Sequence, residues 1–158
     1  MRRGPGGPSP RLRYHPAVTI AATAADLDRV LAAAKAARRP LALPRDCSAG
    51  TVGAALLTAA GDLFTGVNLD LACGIGFCGE HAAAAEMLKT GQTRVAAVAA
   101  FGRRGVLPPC GRCRELLIQL DPANAATAVL LAPGEAAPLG DLLPRHWYPS
   151  EPAAEADP

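Results

Sequence analysis

Residues 78–120 read CGEHAAAAEMLKTGQTRVAAVAAFGRRGVLPPCGRCRELLIQL, and their order of patterns decides the fold. Cys78 to Lys89 holds four consecutive alanines followed by Glu, Met, Leu and Lys, a strongly helix-forming composition. Arg94 to Phe101 is a short apolar run of Val and Ala and reads as a buried strand, and Gly111 to Leu120 is helical again. Downstream, Thr127 to Ala132 is a second buried strand, and Pro138 to Leu143 a last short helix. Upstream, Thr51 to Thr58 and Leu63 to Leu69 flank Ala60-Gly61 and read as a β-hairpin. Further back, Thr23 and Asp26 have capping-box spacing, after which Leu27, Val30, Leu31 and Ala34 mark one helical face. Arg38-Arg39-Pro40 closes that helix with positive charge and a proline. The sequence therefore predicts an α/β three-layer sandwich with one mixed sheet between helices. Its first hairpin is antiparallel and its later strands parallel.

A chain of 158 residues, half of them hydrophobic and 19% charged, fits one domain with a core. Alanine fills 35 positions, so that core has few large side chains. Residues 1–16, rich in Gly, Pro and Arg, read as a flexible basic tail. Residues 17–150 form the single domain, and 151–158 a second flexible tail. The formal net charge is +2, with Arg2, Arg3, Arg11 and Arg13 all in the first tail. The rest of the chain is near neutral and only 4% of residues are aromatic, which argues against a nucleic-acid partner. No apolar stretch is long enough to span a membrane. Arg2-Arg3 before the weakly apolar run Ala17 to Ala25 has a twin-arginine flavour, but Asp26 and Asp28 follow at once. Five unevenly spaced cysteines do not suit a secreted disulfide framework, so a reducing cytoplasm is expected.

Cys78, Cys110 and Cys113 all stand at expected helix starts. There the partial positive charge favours thiolate over thiol, and the thiolate is the metal ligand. Three thiolates and one open position make a catalytic zinc site. Such a site is net anionic, and His81, Arg112 and Arg114 are the candidate neighbours of its sulfurs. Glu80, two residues from Cys78, is placed to take a proton from zinc-bound water and pass it to a leaving group. The alternative is a structural zinc closed by Cys73, separated from Cys78 by four residues. Against it, 31 residues separate Cys78 from Cys110, and a closed site leaves Glu80 without a task. Cys73 otherwise reads as a loop residue and Cys47 as a small buried hydrophobe.

Cys-x-Glu with a downstream Pro-Cys-x-x-Cys is a signature of zinc-dependent nucleobase deaminases. Added to Val52-Gly53-Ala54-Ala55-Leu56, Phe64-Thr65-Gly66-Val67-Asn68, Gly105 to Arg114 and Leu142-Leu143-Pro144, it makes residues 51–148 resemble the cytidine deaminase family. The motifs are most similar to those of its blasticidin-S deaminase branch. The resemblance implies a cytidine-deaminase-like fold, Cys78, Cys110 and Cys113 as zinc ligands, and Glu80 as proton shuttle. It further implies a homotetramer or homodimer with pockets near subunit boundaries. Asn68 and Asp70 match the family's ribose-binding positions, although Asp70 is one methylene shorter than the usual Glu and Leu71 replaces an Asn. Gly50-Thr51 stands where the family places a base-stacking aromatic, and His81 where it usually has Arg. Phe77 and Trp147, the latter in a C-terminal Trp147-Tyr148 pair, are the candidate aromatic contacts to substrate. The expected activity is zinc-dependent hydrolytic deamination of a cytosine-type nucleoside or analogue, with release of ammonia. Alternatives are another small aminoheterocycle (a free base or a blasticidin-like antibiotic), or a catalytically inactive binding protein on the same fold.

Overall fold

Thr23 opens the first helix in the manner its spacing predicts. Its Oγ1 accepts from the Asp26 backbone N–H at 3.2 Å, while the Asp26 carboxylate accepts from the Thr23 N–H at 3.0 Å. This helix, α1 (Ala24–Ala37), is the first element of a computed structural model that describes residues 22–147. The expected tails at 1–16 and 151–158 lie outside the described residues, as does Tyr148.

Seven strands follow: β1 (Leu41–Ala42), β2 (Ser48–Thr58), β3 (Leu63–Asp70), β4 (Val95–Gly102), β5 (Gly105–Leu107), β6 (Ala128–Ala132) and β7 (Glu135–Pro138). Helices α2 (Gly79–Leu88) and α3 (Gly111–Leu120) flank β4, and a one-turn α4 (Leu139–Leu142) follows β7. One mixed sheet joins all seven strands along the path β1-β2-β4-β6-β7, with β3 on β2 and β5 on β4. The β2–β3 hairpin is antiparallel, with Leu56 opposite Phe64, and β4 and β6 pair in parallel through Ala97–Ala128 and Val98–Val129.

The later strands are not all parallel. β5 folds back on β4 through the Arg103-Arg104 turn, and β7 folds back on β6 across Pro133-Gly134, both antiparallel. At three and four residues they carry too little alternation to stand out in a sequence. β2 also starts earlier than its apolar run, at Ser48, because β1 and β3 both pair with its polar beginning.

Side chains alternate across the sheet and define three layers. Leu56, Val98 and Val129 face α2 and α3, packing with Ala83, Met87, Leu117 and Leu139. Ala55, Leu57, Ala97, Ala99, Ala128 and Leu130 face the other way, against Val30 and Ala34 of α1. Five of those eight buried residues are alanine, so α1 lies close to the sheet. Asn124 ties the layers together at the far end. Its amide accepts from the Val95 N–H at 2.7 Å and donates to the carbonyls of Thr93 and Leu117, both at 2.9 Å.

Candidate active site

Cys78 is the N-cap of α2 and Cys110 the N-cap of α3, with Cys113 in the first turn of α3. Gly66 of β3 sets the height of α2. A Cβ there would stand 2.4 Å from the Ala83 nitrogen and 2.5 Å from the Gly79 carbonyl oxygen, so only glycine lets the start of α2 rest directly on the hairpin. At the start of α3, the Arg114 guanidinium donates to the carbonyls of Pro109 and Leu142, both at 2.9 Å. Arg114 thus fixes the loop that carries Cys110 and does not itself touch a sulfur.

These supports bring three sulfurs together. Cys78 Sγ and Cys110 Sγ are 3.7 Å apart, Cys110 Sγ and Cys113 Sγ 3.5 Å, and all three lie within 4.8 Å of one another. Tetrahedral zinc with Zn–S bonds of about 2.3 Å requires sulfurs roughly 3.8 Å apart, so the cluster has the dimensions of three corners of such a site. Among the described residues no fourth His, Cys, Asp or Glu joins this group. Cys73 does not close it: it sits exposed in the turn 72–74 with φ +62°. The structural Cys₄ alternative is therefore absent from this fold.

The electrostatics of the cluster suit a cation. Burial and the nearby Glu80 carboxylate push the Cys113 thiol far above its ordinary range. Burial and the Cys110 sulfur push the Cys78 thiol up as well. Burial opposes the Cys110 thiolate too, but the N–H groups of Cys113 and Arg112 and the sulfurs of its two partners outweigh it and hold its pKa down. Negative charge on all three sulfurs requires a positive ion among them. Glu80 is only 4% exposed, and that burial raises its carboxyl above the usual carboxylate range.

A cavity of about 610 Å³ opens beside this cluster and is lined by Cys78, Cys110 and Glu80 together with residues of the β2–β3 hairpin. Asn68, Asp70, Phe77 and Arg112 also line it, as does Thr51, which the sequence marks as standing at the place of a stacking aromatic and which here gives the wall a hydroxyl group. Asn68 is turned inward. Its Oδ1 accepts from the Val52 N–H at 2.8 Å and the Thr51 hydroxyl at 3.2 Å, and its Nδ2 donates to Thr51 Oγ1 at 2.9 Å and Asp70 Oδ2 at 2.7 Å. Ser48 adds a donor to the same Asp70 oxygen at 3.3 Å. The expected direct contact of Asn68 with substrate thus meets an amide already occupied on both ends.

Phe77 forms part of the cavity wall, held by paired backbone hydrogen bonds with Leu69 at 2.9 Å. Arg112 donates to the Gly76 carbonyl at 3.5 Å from within the cavity. His81 lies beside it, with Nδ1 3.5 Å from Cys113 Sγ, and burial followed by the charge of Arg112 lowers its pKa. Trp147 is elsewhere. It is 81% exposed, its backbone N–H donates to the Glu115 carboxylate at 3.1 Å, and it takes no part in the cavity of its own chain. Trp147 comes after α4 and is tied to Glu115 of α3, whereas the cavity opens at the starts of α2 and α3.

The profile of the "Cytidine and deoxycytidylate deaminase zinc-binding region" matches residues 25–129, which take in all three sulfurs and Glu80. The chain belongs to the cytidine and deoxycytidylate deaminase family. A cytidine deaminase of Mycobacterium tuberculosis is 37% identical over 95 residues, 59% of this chain and 69% of that protein. The crystal structure of cytidine deaminase from M. tuberculosis superposes with a TM-score of 0.66 at 32% identity, covering 78% of this chain and 98% of that one. That from Burkholderia pseudomallei gives 0.61 at 33% identity, over 76% of this chain and 98% of that one. The mixed sheet between helical layers is thus the deaminase family's fold. No helix among the described residues is long and apolar enough to cross a membrane.

Proposed function

We propose that this chain is a zinc-dependent hydrolytic deaminase that converts the ring amine of a cytosine-type nucleoside or nucleoside analogue to a carbonyl and releases ammonia. One observation carries the reading: three sulfurs at tetrahedral spacing stand beside a buried carboxyl group in a cavity large enough for a nucleoside. Cys78, Cys110 and Cys113 would hold the zinc, whose Lewis acidity makes water a nucleophile near neutral pH.

Glu80 moves the protons. Burial raises its proton affinity, so the carboxylate accepts a proton from water and passes it to the ring nitrogen. It then takes the proton of the hydroxyl that has added to the ring carbon and gives it to the amine, which leaves as ammonia as the carbonyl forms. Phe77 supplies the aromatic wall, and the Asp70 carboxylate an acceptor for a hydroxyl or amine on the substrate. Arg112 offsets the negative charge of the thiolates, and His81, kept neutral by burial and by Arg112, can offer a ring N–H to the Cys113 sulfur. The reading includes a homodimer or homotetramer working in a reducing cytoplasm.

A second reading, deamination of an aminoheterocycle that is not a simple riboside, is favoured by the inward-turned Asn68 amide and by Leu71 in the wall. An ammonia-release assay decides between them, run on cytidine, deoxycytidine, cytosine, blasticidin S and aminotriazine analogues, with zinc measured on the same sample. Release from cytidine supports the first reading and release from the antibiotic alone the second. Silence across the panel with one zinc per chain would make this a binding protein.

A further inference from the structure

The β2–β3 ladder loses register between Ala49, opposite Leu69, and Gly53, opposite Val67, so residues 50–52 of β2 face Asn68 alone. A bulge of this kind re-aims side chains and requires local support. It brings Thr51 and Val52 into the cavity wall. Asn68 fills the gap from below through its four hydrogen bonds, and passes the constraint to Asp70 Oδ2.

Above the bulge lies the end of α1. Gly50 has φ +67°, and a Cβ on it would stand 2.0 Å from the Arg39 carbonyl oxygen, so this position takes no side chain and the family's stacking aromatic has no room there. The next residue is gripped: Arg38 Nε donates to the Thr51 carbonyl at 2.9 Å. Arg38 is the C-cap residue of α1, half-buried, and does not line the cavity.

We propose that Arg38 is a positioning residue for substrate recognition. It anchors the β2 bulge so that Thr51 and Asn68 hold the Asp70 carboxylate at a fixed place in the wall. The chain Arg38–Thr51–Asn68–Asp70 runs from the outer helix to the cavity without touching the sulfurs. The kinetic part of this proposal rests on the deaminase reading, and the structural part does not.

The test compares wild type, Arg38→Ala and Arg38→Gln with Thr23→Ala, which loosens α1 at its opposite end. Gln carries an N–H donor the same number of bonds from the backbone as Arg Nε, but no charge. Amide exchange at Val52, whose N–H donates to Asn68, reports the bulge directly and needs no substrate. Arg38→Ala is expected to speed Val52 exchange about three- to tenfold beyond Thr23→Ala, the loss of one hydrogen bond, and Arg38→Gln to restore it. With cytidine or whichever substrate is active, KM rises by a similar factor in Arg38→Ala while kcat and zinc content hold. Equal Val52 exchange in Arg38→Ala and Thr23→Ala overturns the proposal, as does a Gln variant no better than Ala, which would make the residue a helix-end charge. If Arg38→Ala does not fold, Arg38→Met, which keeps the unbranched stem but has no N–H donor, takes its place, with Val52 exchange faster than in Thr23→Ala supporting the relay and exchange equal to it refuting it. If wild type releases no ammonia from any substrate, the deaminase reading fails while the exchange result still stands or falls alone.

Discussion

Glu80 carries the heaviest burden of any single residue, because nothing else in the cavity combines burial with a group able to carry a proton between substrate and water. Glu80→Gln keeps the shape and removes the proton carrier. Ammonia release is expected to fall by about 10²–10⁴-fold with one zinc per chain retained, checked by steady-state kinetics and metal analysis. A zinc-free Glu80→Gln protein, or one with activity within a few-fold of wild type, would remove Glu80 from the reaction. Glu80 and the three cysteines were legible in the sequence because the chemistry fixes both their types and their spacing at helix starts. The occupied amide of Asn68 was not. Its partner Thr51 is 17 residues away, and the two meet only because a bulge puts them face to face.

At the scale of elements, α1 and the α2–β3 contact make opposite kinds of prediction. The Asp26 carboxyl is held below its ordinary value, first by the Thr23 hydroxyl and then by the Thr23 backbone N–H. A lowered folded-state pKa contributes stability that is complete above the unfolded value and lost as pH falls through the folded one. Asp26→Ala is therefore expected to unfold at lower urea than wild type at pH 7, with the gap narrowing progressively below about pH 4. The Gly66–Ala83 approach has no such pH dependence. Gly66→Ala is expected to cost about 3 kcal/mol in urea unfolding, because the methyl group must lift the start of α2 off the hairpin. It should weaken zinc retention in the same step. Helices α1, α2 and α3 and strands β2, β3, β4 and β6 were readable from periodicity and caps. β1, β5 and β7 were not, since each is completed by a neighbouring strand and leaves almost no pattern of its own.

For the whole molecule, the metal would bind two helices to each other. α2 and α3 cover the same face of the sheet through the cluster around Met87 and Leu117, and their starts meet at the sulfurs. An ion held by both adds its binding energy to folding. Chelation is expected to lower the melting temperature by several degrees and zinc to restore it, whereas Cys110→Ser should melt at the lower temperature whether or not zinc is added. A melting curve indifferent to chelator in the wild-type protein would count against the metal. The three-layer plan was visible in the order of helices and strands, whereas the packing of α1 against an alanine-rich face depends on how the small residues of β2, β4 and β6 line up across the sheet.

The bulge at residues 50–52 has an outcome for how such a catalyst changes. Thr51 contributes to neither of the two buried clusters nor to the sulfur group, and its backbone is clasped from outside. New side chains at that one codon would loosen or re-form the polar wall that Asn68 and Asp70 build with it, altering what the enzyme accepts, while the apparatus that breaks the carbon–nitrogen bond is left as it was.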